Sequence, residues 1–443
     1  MQGGQQNEKN NAEQPLISTP IDKNYTSNDV SNLDSTSKAL DQPPVGFFGT
    51  VMNLLNSLIG AEILSISRSM RFCGLVVSIF LMTFTAIMSY IATILTVRLQ
   101  SLTKAESLHD LGSKLFGKPC TVILSILVLF FTYSCCVAYL IIGGNDIKSW
   151  LSLVHYDYWM EGWRRYIVMF LYSVLLPVVL TFPKRVSYLS VFSTFAIVSV
   201  FIFSVVLAYK GIIYFPKHGI CETVVTARMD IHFFNAISVY SLMFALPAIC
   251  LPLFKPVKPK LQYRYQIVGT SFFVCYLLVI VPGVVGYLMF GSQTSEIILD
   301  NFPDKDIIIQ ITRFGFFIVV TTSYPIISLT IQTQLSAIIY KVFDPATLNF
   351  KKRAIILLLA NVPPVLIAMI LPNIYPVISV GGSLGGCMTN FFFPAIFWIK
   401  KSPHRWYHWT NLFCSFLAFF GFISAVIATY QGIDLAIHPV EDI

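Results

Sequence analysis

The chain has 443 residues, of which 55% are hydrophobic, 14% aromatic and only 12% charged, with a mean hydropathy of +0.70. That composition excludes a soluble globular protein and describes a polytopic membrane protein. The net charge of +8 does not mark a nucleic-acid partner, because Lys and Arg fall in short clusters between apolar runs rather than in one basic stripe.

Residues 1–44 are rich in Asn, Gln, Ser and Asp and hold no apolar run, so they read as a disordered cytoplasmic tail. Within it, Glu13 to Ile17 is close to an acidic dileucine sorting signal, which points to a vacuolar or lysosomal membrane beside the plasma membrane as locations. The sequon at Asn24 lies in the tail and is not expected to be used. Apolar runs of spanning length follow at about 47–67, 74–98, 120–143, 165–182, 187–210, 233–254, 265–290, 307–340, 354–371, 374–399 and 409–430. The expectation is therefore an all-α polytopic membrane protein with eleven transmembrane helices over residues 45–432, and a short C-terminal tail at 433–443.

Alternate loops are unequal in charge. With the N-terminus in the cytoplasm, that side carries 20 of the 30 Lys and Arg, as the positive-inside rule requires. The stretch 99–119 includes a short amphipathic piece, Ser107 to Gly112, that reads as a cytoplasmic interfacial helix. Seven of the nine Cys lie inside apolar runs as small hydrophobes, and Cys221 stands in an exterior loop without a loop partner, so no disulfide framework is indicated.

In the first run, Glu62 lies roughly 22 Å along a helix that begins at Phe47, inside a hydrocarbon layer about 30 Å thick. An acid at that depth faces a polar cavity, pairs with a cation or stays protonated, and so marks a functional site. Three readings of Glu62 stand side by side: a proton carrier, a partner for the amino group of a cationic substrate, or a structural pair with Arg68 or Arg71. Asn53, Asn56, Ser57 and Gly60 in the same run are residues that loosen a helix and expose its backbone. In the sixth run, Pro247 and Pro252 follow Phe244 and Ala245 and supply a second break, since an internal Pro removes a backbone hydrogen bond. Ten of the eleven helices then form two inverted halves of five, with one extra helix. In such repeats the substrate binds at breaks in the first helix of each half. Simple kinking by Pro and Gly is the competing explanation of both signals.

The first run has the pattern N-x-x-N-x-x-x-G-x-x-I-L at Asn53, Asn56, Gly60, Ile63 and Leu64. With Cys136 to Gly143, Pro177 to Ser193, Ser323-Tyr324-Pro325, Leu371-Pro372-Asn373, Gly381 to Gly385 and Phe393-Pro394, it makes residues 46–430 resemble the amino acid/auxin permease family. The resemblance implies an eleven-helix inverted-repeat fold and proton- or sodium-driven secondary transport of amino acids by alternating access. A transport-deficient amino acid sensor in the same fold is the alternative. The chain departs from the family at Glu62, where a second Gly is usual, at Leu246 and Pro247, where a Cys-His pair is common, and at Gln332, where Arg is frequent.

On this footing the candidate substrate-binding residues are Asn56, Ser57, Gly60, Ala61, Glu62, Tyr139, Phe244 and Ala245, with backbone N–H groups at Gly60 and Ala61 receiving a carboxylate. Close helix packing explains the small residues equally well. The candidate ion-coupling residues are Glu62, Thr321, Thr322 and Ser323, the last three lying where this fold often coordinates sodium. Such hydroxyls also bond back to the preceding helical turn. No cofactor beyond a coupling ion, H⁺ or Na⁺, is expected, and the expected partners are an amino acid substrate and the lipid bilayer. The chain carries neither an H-E-x-x-H pair nor a nucleophile elbow, so no enzyme is expected.

Overall fold

The computed structural model describes residues 46–183, 190–254, 257, 260–342 and 344–437. The described residues pack as one unit. The tail, with its sorting-signal and sequon positions, lies outside the described residues, as does the end of the C-terminal segment. Among the described residues the secondary structure is entirely helical: α1 Phe47–Leu58, α2 Leu75–Thr103, α3 Leu108–Phe116, α4 Lys118–Leu153, α5 Gly162–Ser173, α6 Ser190–His218, α7 Phe233–Met243, α8 Leu261–Phe290, α9 Ile307–Tyr340, α10 Phe350–Ile370, α11 Tyr375–Val380, α12 Phe393–Lys401 and α13 Trp409–Ile437.

Nine spans among the described residues are long and apolar enough to cross a membrane, and a tenth is reached by joining Phe47–Leu58 to Glu62–Phe72 across a 56° bend. The expected sixth span, 233–254, is an 11-residue helix followed by irregular chain and one turn at Cys250–Leu253. It falls short of spanning length as a helix, so eleven is reached only by taking this interrupted stretch as a span.

Both interruptions have local causes. After Leu58 the backbone turns extended at Ile59 (φ −91°, ψ 111°) and Gly60 (φ −119°, ψ −158°), then re-enters as a 3-10 turn, Ala61–Ser65. A Cβ on Gly60 would stand 2.2 Å from a carboxylate oxygen of Glu62, so the glycine is what lets that side chain fold back over the break. In the sixth stretch α7 stops at Met243. The chain then makes tight turns, Leu246 N–H to Phe244 O at 2.8 Å and Cys250 N–H to Leu246 O at 2.9 Å, around Pro247, which has no N–H to extend the ladder.

Lipid tails are as apolar as Leu, so close packing and buried hydrogen bonds hold helices together in a bilayer. Here a π-helical stretch, Gly381–Phe392, runs between α4 and α7 with glycines on two faces. On one, Cβ atoms added at Gly381 and Gly385 would stand 2.4 Å from Ser134 and Phe131 of α4. On the other, one at Gly382 would stand 2.1 Å from the Ser238 carbonyl of α7 and one at Gly386 3.0 Å from Leu242 N. Ser379 adds hydrogen bonds to Ser238 and to Asn235 Oδ1 of α7, each 3.2 Å, and Asn390 donates to Ser89 of α2 at 2.5 Å. The broken helix is thus held both by close approach at the glycines and by buried side-chain hydrogen bonds.

The ends of the bundle differ. At the α3 end, Ser107 Oγ accepts from Asp110 N–H (3.1 Å), Asp110 accepts from Glu106 N–H (3.0 Å), and Lys114 pairs with Asp110 at 2.8 Å. Ser107 is thus a side-chain N-cap, and Asp110 reaches back one residue further than in a capping box, to the N–H before the cap, at the start of an amphipathic helix. At the other end, 219–232 lies across the start of α2, with Leu75 and Val76 N–H donating to Val225 O and Thr226 O at 2.9 Å. Gly74 permits the approach: its φ is +76° and an added Cβ would stand 2.8 Å from Val225 O.

Candidate substrate site

A cavity of about 410 Å³ lies where the two broken helices meet α4, α6 and α9. Its deep end is formed by buried Glu62, Tyr139, Leu242 and Phe316. Towards α3 it reaches half-buried Ser107, Leu253 and Gln334 and exposed Pro252, and there it opens. Ligand pockets of this size, mostly apolar with a few polar groups, fit small molecules.

Of the residues singled out from the sequence, Asn56, Ser57, Gly60, Glu62, Tyr139, Ala245 and Ser323 line this cavity. Ser57 also donates to Asn53 O one turn back, at 2.9 Å. Ala61 opens the 3-10 turn, and its side chain lies outside the described residues. Phe244 is turned away from the cavity, fully buried and stacked on Phe272 of α8 at 6.1 Å between ring centres. In α9, Thr322 donates to Ile318 O at 2.7 Å, the back-bond to the preceding turn, and Thr321 shares a hydrogen bond with Tyr172 of α5 at 3.4 Å. The three neighbouring hydroxyls therefore point to three different places, and only that of Ser323 is on a residue that reaches the cavity. Gln332, where the family often has Arg, is buried and bonded to Ser328 at 3.4 Å.

Glu62 is only 6% exposed, and its Oε2 has no hydrogen-bond partner. The structural pairing with Arg68 is not formed, because Arg68 turns to Thr294 O at 2.8 Å. Among the described residues, Cys135 and Tyr139 of α4 and Cys275 of α8 are titratable side chains close enough to couple with Glu62.

Beyond the deep end lies a cluster of charged side chains. Arg313 of α9 pairs with Asp300 at 2.9 Å and with Asp146 of α4 at 3.5 Å, and donates to Leu299 O at 2.8 Å. The Arg313 and Asp146 side chains are each 2% exposed. Around them, Gln310 donates to Ser149 and to Asp304 O at 2.8 Å, and Lys210 pairs with Asp306. Sequence reasoning missed this cluster, although the rule that picks out Glu62 applies equally to Arg313 inside the run 307–340; Asp146 stands beyond the end of the run 120–143, beside Asn145 and near Lys148.

At the mouth, His109 lines the cavity from α3 with its Nε2 buried and unpartnered. Burial pushes its pKa down to about 4, so it is neutral near pH 7. Between pH 6.5 and 4 the unfolded chain binds this proton and the folded chain does not, so stability falls as pH falls through that window. The melting temperature of the purified protein in detergent is expected to drop on acidification from pH 7 to 4.5, and His109→Gln is expected to remove much of that slope; an unchanged slope in the variant would refute the assignment.

The chain matches the model of the family described as transmembrane amino acid transporter protein over residues 44–434. It is 23% identical over 377 residues to the zebrafish (Danio rerio) sodium-coupled neutral amino acid transporter 7, covering 80% of this chain and 79% of the relative. Against the Arabidopsis thaliana amino acid transporter AVT6E it is 25% identical over 380 residues, covering 79% and 75%. In fold it is similar to the crystal structure of MhsT in complex with L-phenylalanine, with a TM-score of 0.51 and 13% identity, covering 88% of this chain and all of that one. The match to the family model takes in both broken helices, the cavity between them and the charged cluster beyond it: this chain belongs to the transmembrane amino acid transporter family.

Proposed function

We propose that the protein is a secondary active transporter that carries one amino acid at a time by alternating access, coupled to a proton or sodium gradient. The observation that carries this reading is the cavity between the unwound stretches of α1 and 233–254, open at the α3 end and ending at buried Glu62, Tyr139, Leu242 and Phe316 at the other. A site reached from one end while the other is sealed is one half of an alternating-access cycle. The excess of Lys and Arg on the α3 side supports an N-terminus in the cytoplasm, which makes this an inward-open state. The membrane is the plasma membrane or that of a vacuole or lysosome. Glu62 and Ser323 are the coupling candidates that reach the cavity.

Uptake of a labelled amino acid panel into proteoliposomes, with an imposed pH or sodium gradient and with neither, tests the proposal. Gradient-stimulated uptake of at least one amino acid is expected. Binding without flux under every gradient would overturn transport in favour of a sensor.

A further inference from the structure

The cavity is unusual in its charge. Among the described residues that line it, Glu62 is the one acid, and Lys and Arg are absent. Among the described residues, the elements packed against Glu62 form no ion pair with it: Arg68 donates to Thr294 O, α4 presents Cys135 and Tyr139, α8 presents Cys275, Tyr240 of α7 is turned towards Ser69, Cys73 and Ser78, and Asp300 is held by Arg313. A carboxylate 6% exposed, with an unpartnered oxygen in a cavity wall, requires a positive partner from outside the chain or a proton. Its place matters too. The side chain folds back onto Gly60, so the space beside the exposed backbone of the first break is filled by the chain's own carboxylate.

A zwitterionic ligand brings one charge of each sign and leaves the site net negative. A ligand of net charge +1 neutralises it. A metal ion would need several oxygen ligands, whereas Glu62 is the single carboxylate in the lining, much of which is apolar or aromatic, Tyr139, Leu242, Phe316 and Val320 among it. An apolar, aromatic wall suits an alkyl stem ending in an ammonium or guanidinium.

We propose that this cavity selects ligands of net positive charge, a cationic amino acid or a related amine, with the Glu62 carboxylate as counter-ion of the ligand's ammonium or guanidinium. The inference takes the ligand's class from the transport reading and its sign of charge from the cavity. The full chain in detergent, at pH 7.5 and in potassium chloride, is titrated with L-lysine, L-arginine, L-leucine, L-glutamine and L-glutamate. Wild type is expected to bind lysine or arginine at least tenfold more tightly than the other three. Glu62→Gln is expected to lose tenfold or more for the cations while eluting as a monodisperse, folded protein, and Glu62→Asp to keep the cationic preference at reduced affinity. Equal or better binding of leucine or glutamine by wild type would overturn the proposal. So would cation affinity within twofold of wild type in Glu62→Gln, or stabilisation by sodium over potassium that Glu62→Gln abolishes without any cationic preference. The same samples in proteoliposomes separate the two readings: flux of neutral amino acids alone refutes this inference and keeps transport, while cation binding lost in Glu62→Gln without flux does the reverse.

Discussion

Arg313→Met is expected to cost about 3–5 kcal/mol, because removing one partner of a buried ion pair leaves the other charge uncompensated. Arg313 holds Asp146, Asp300 and the Leu299 carbonyl together, and Asp146 is 2% exposed with one oxygen already lacking a partner. Arg313→Lys keeps the charge but not the planar fork that reaches all three acceptors, so an intermediate loss is expected. Asp146→Asn, which removes the acid, is expected to be milder than Arg313→Met, and adding it to Arg313→Met should restore part of the loss. Thermal melting in detergent measures all four variants. Arg313→Met melting within about 2 °C of wild type would show that the cluster contributes little. Because these groups lie at the end of the bundle beyond Glu62, the same variant should also let a water-soluble thiol reagent reach Cys135 from that end, where wild type is protected.

The second large effect is expected from the smallest side-chain change. Gly382→Ala places a Cβ 2.1 Å from the carbonyl oxygen of Ser238, and that oxygen belongs to a helix backbone rather than to a side chain that can rotate away. The π-helical stretch and α7 must separate, and overpacking of this kind costs about 1–3 kcal/mol. Since α7 leads directly into the break at 244–249, the displacement should also move Ala245 and weaken ligand binding by tenfold or more. Gly46→Ala is the control: nothing stands within 4 Å of a Cβ there, and no change is expected. Substrate binding and melting temperature of the two variants, measured side by side, test the claim; a Gly382→Ala protein that binds like wild type would refute it.

What could be read in advance depends on the range of the interaction. The spans follow from runs of apolar residues, and both breaks follow from residues whose effect is local, Gly60 at the first and Pro247 at the second. The carboxylate at Glu62 stands out because the energetic rule needs only depth in the bilayer. Which way a side chain faces is another matter. Thr321, Thr322 and Ser323 are consecutive, so about 100° separates each from the next around the helix. A small rotation of α9 decides which one meets the cavity. Phe244 likewise sits beside Ala245, yet the turn after Met243 sends it to Phe272. The pairing of Asp146 with Arg313 joins positions 167 residues apart, and no local pattern contains that contact. Arg313, a single charge inside the run 307–340, was itself in plain view.

The π-helical stretch beside α7 has a mechanical consequence. A π turn holds one more residue than an α turn, so annealing one such turn to α geometry would rotate everything beyond it by about 100°. That rotation would carry Asn390 off Ser89 and swing Gly386 out of its fit against Leu242. Phase along this helix is therefore locked from both sides, by a hydrogen bond to α2 and by glycine contacts to α4 and α7. A segment whose phase is locked serves as the stator of a moving machine. If the site works by the proposed alternating access, the parts expected to swing are those hinged at Gly60 and at 244–249.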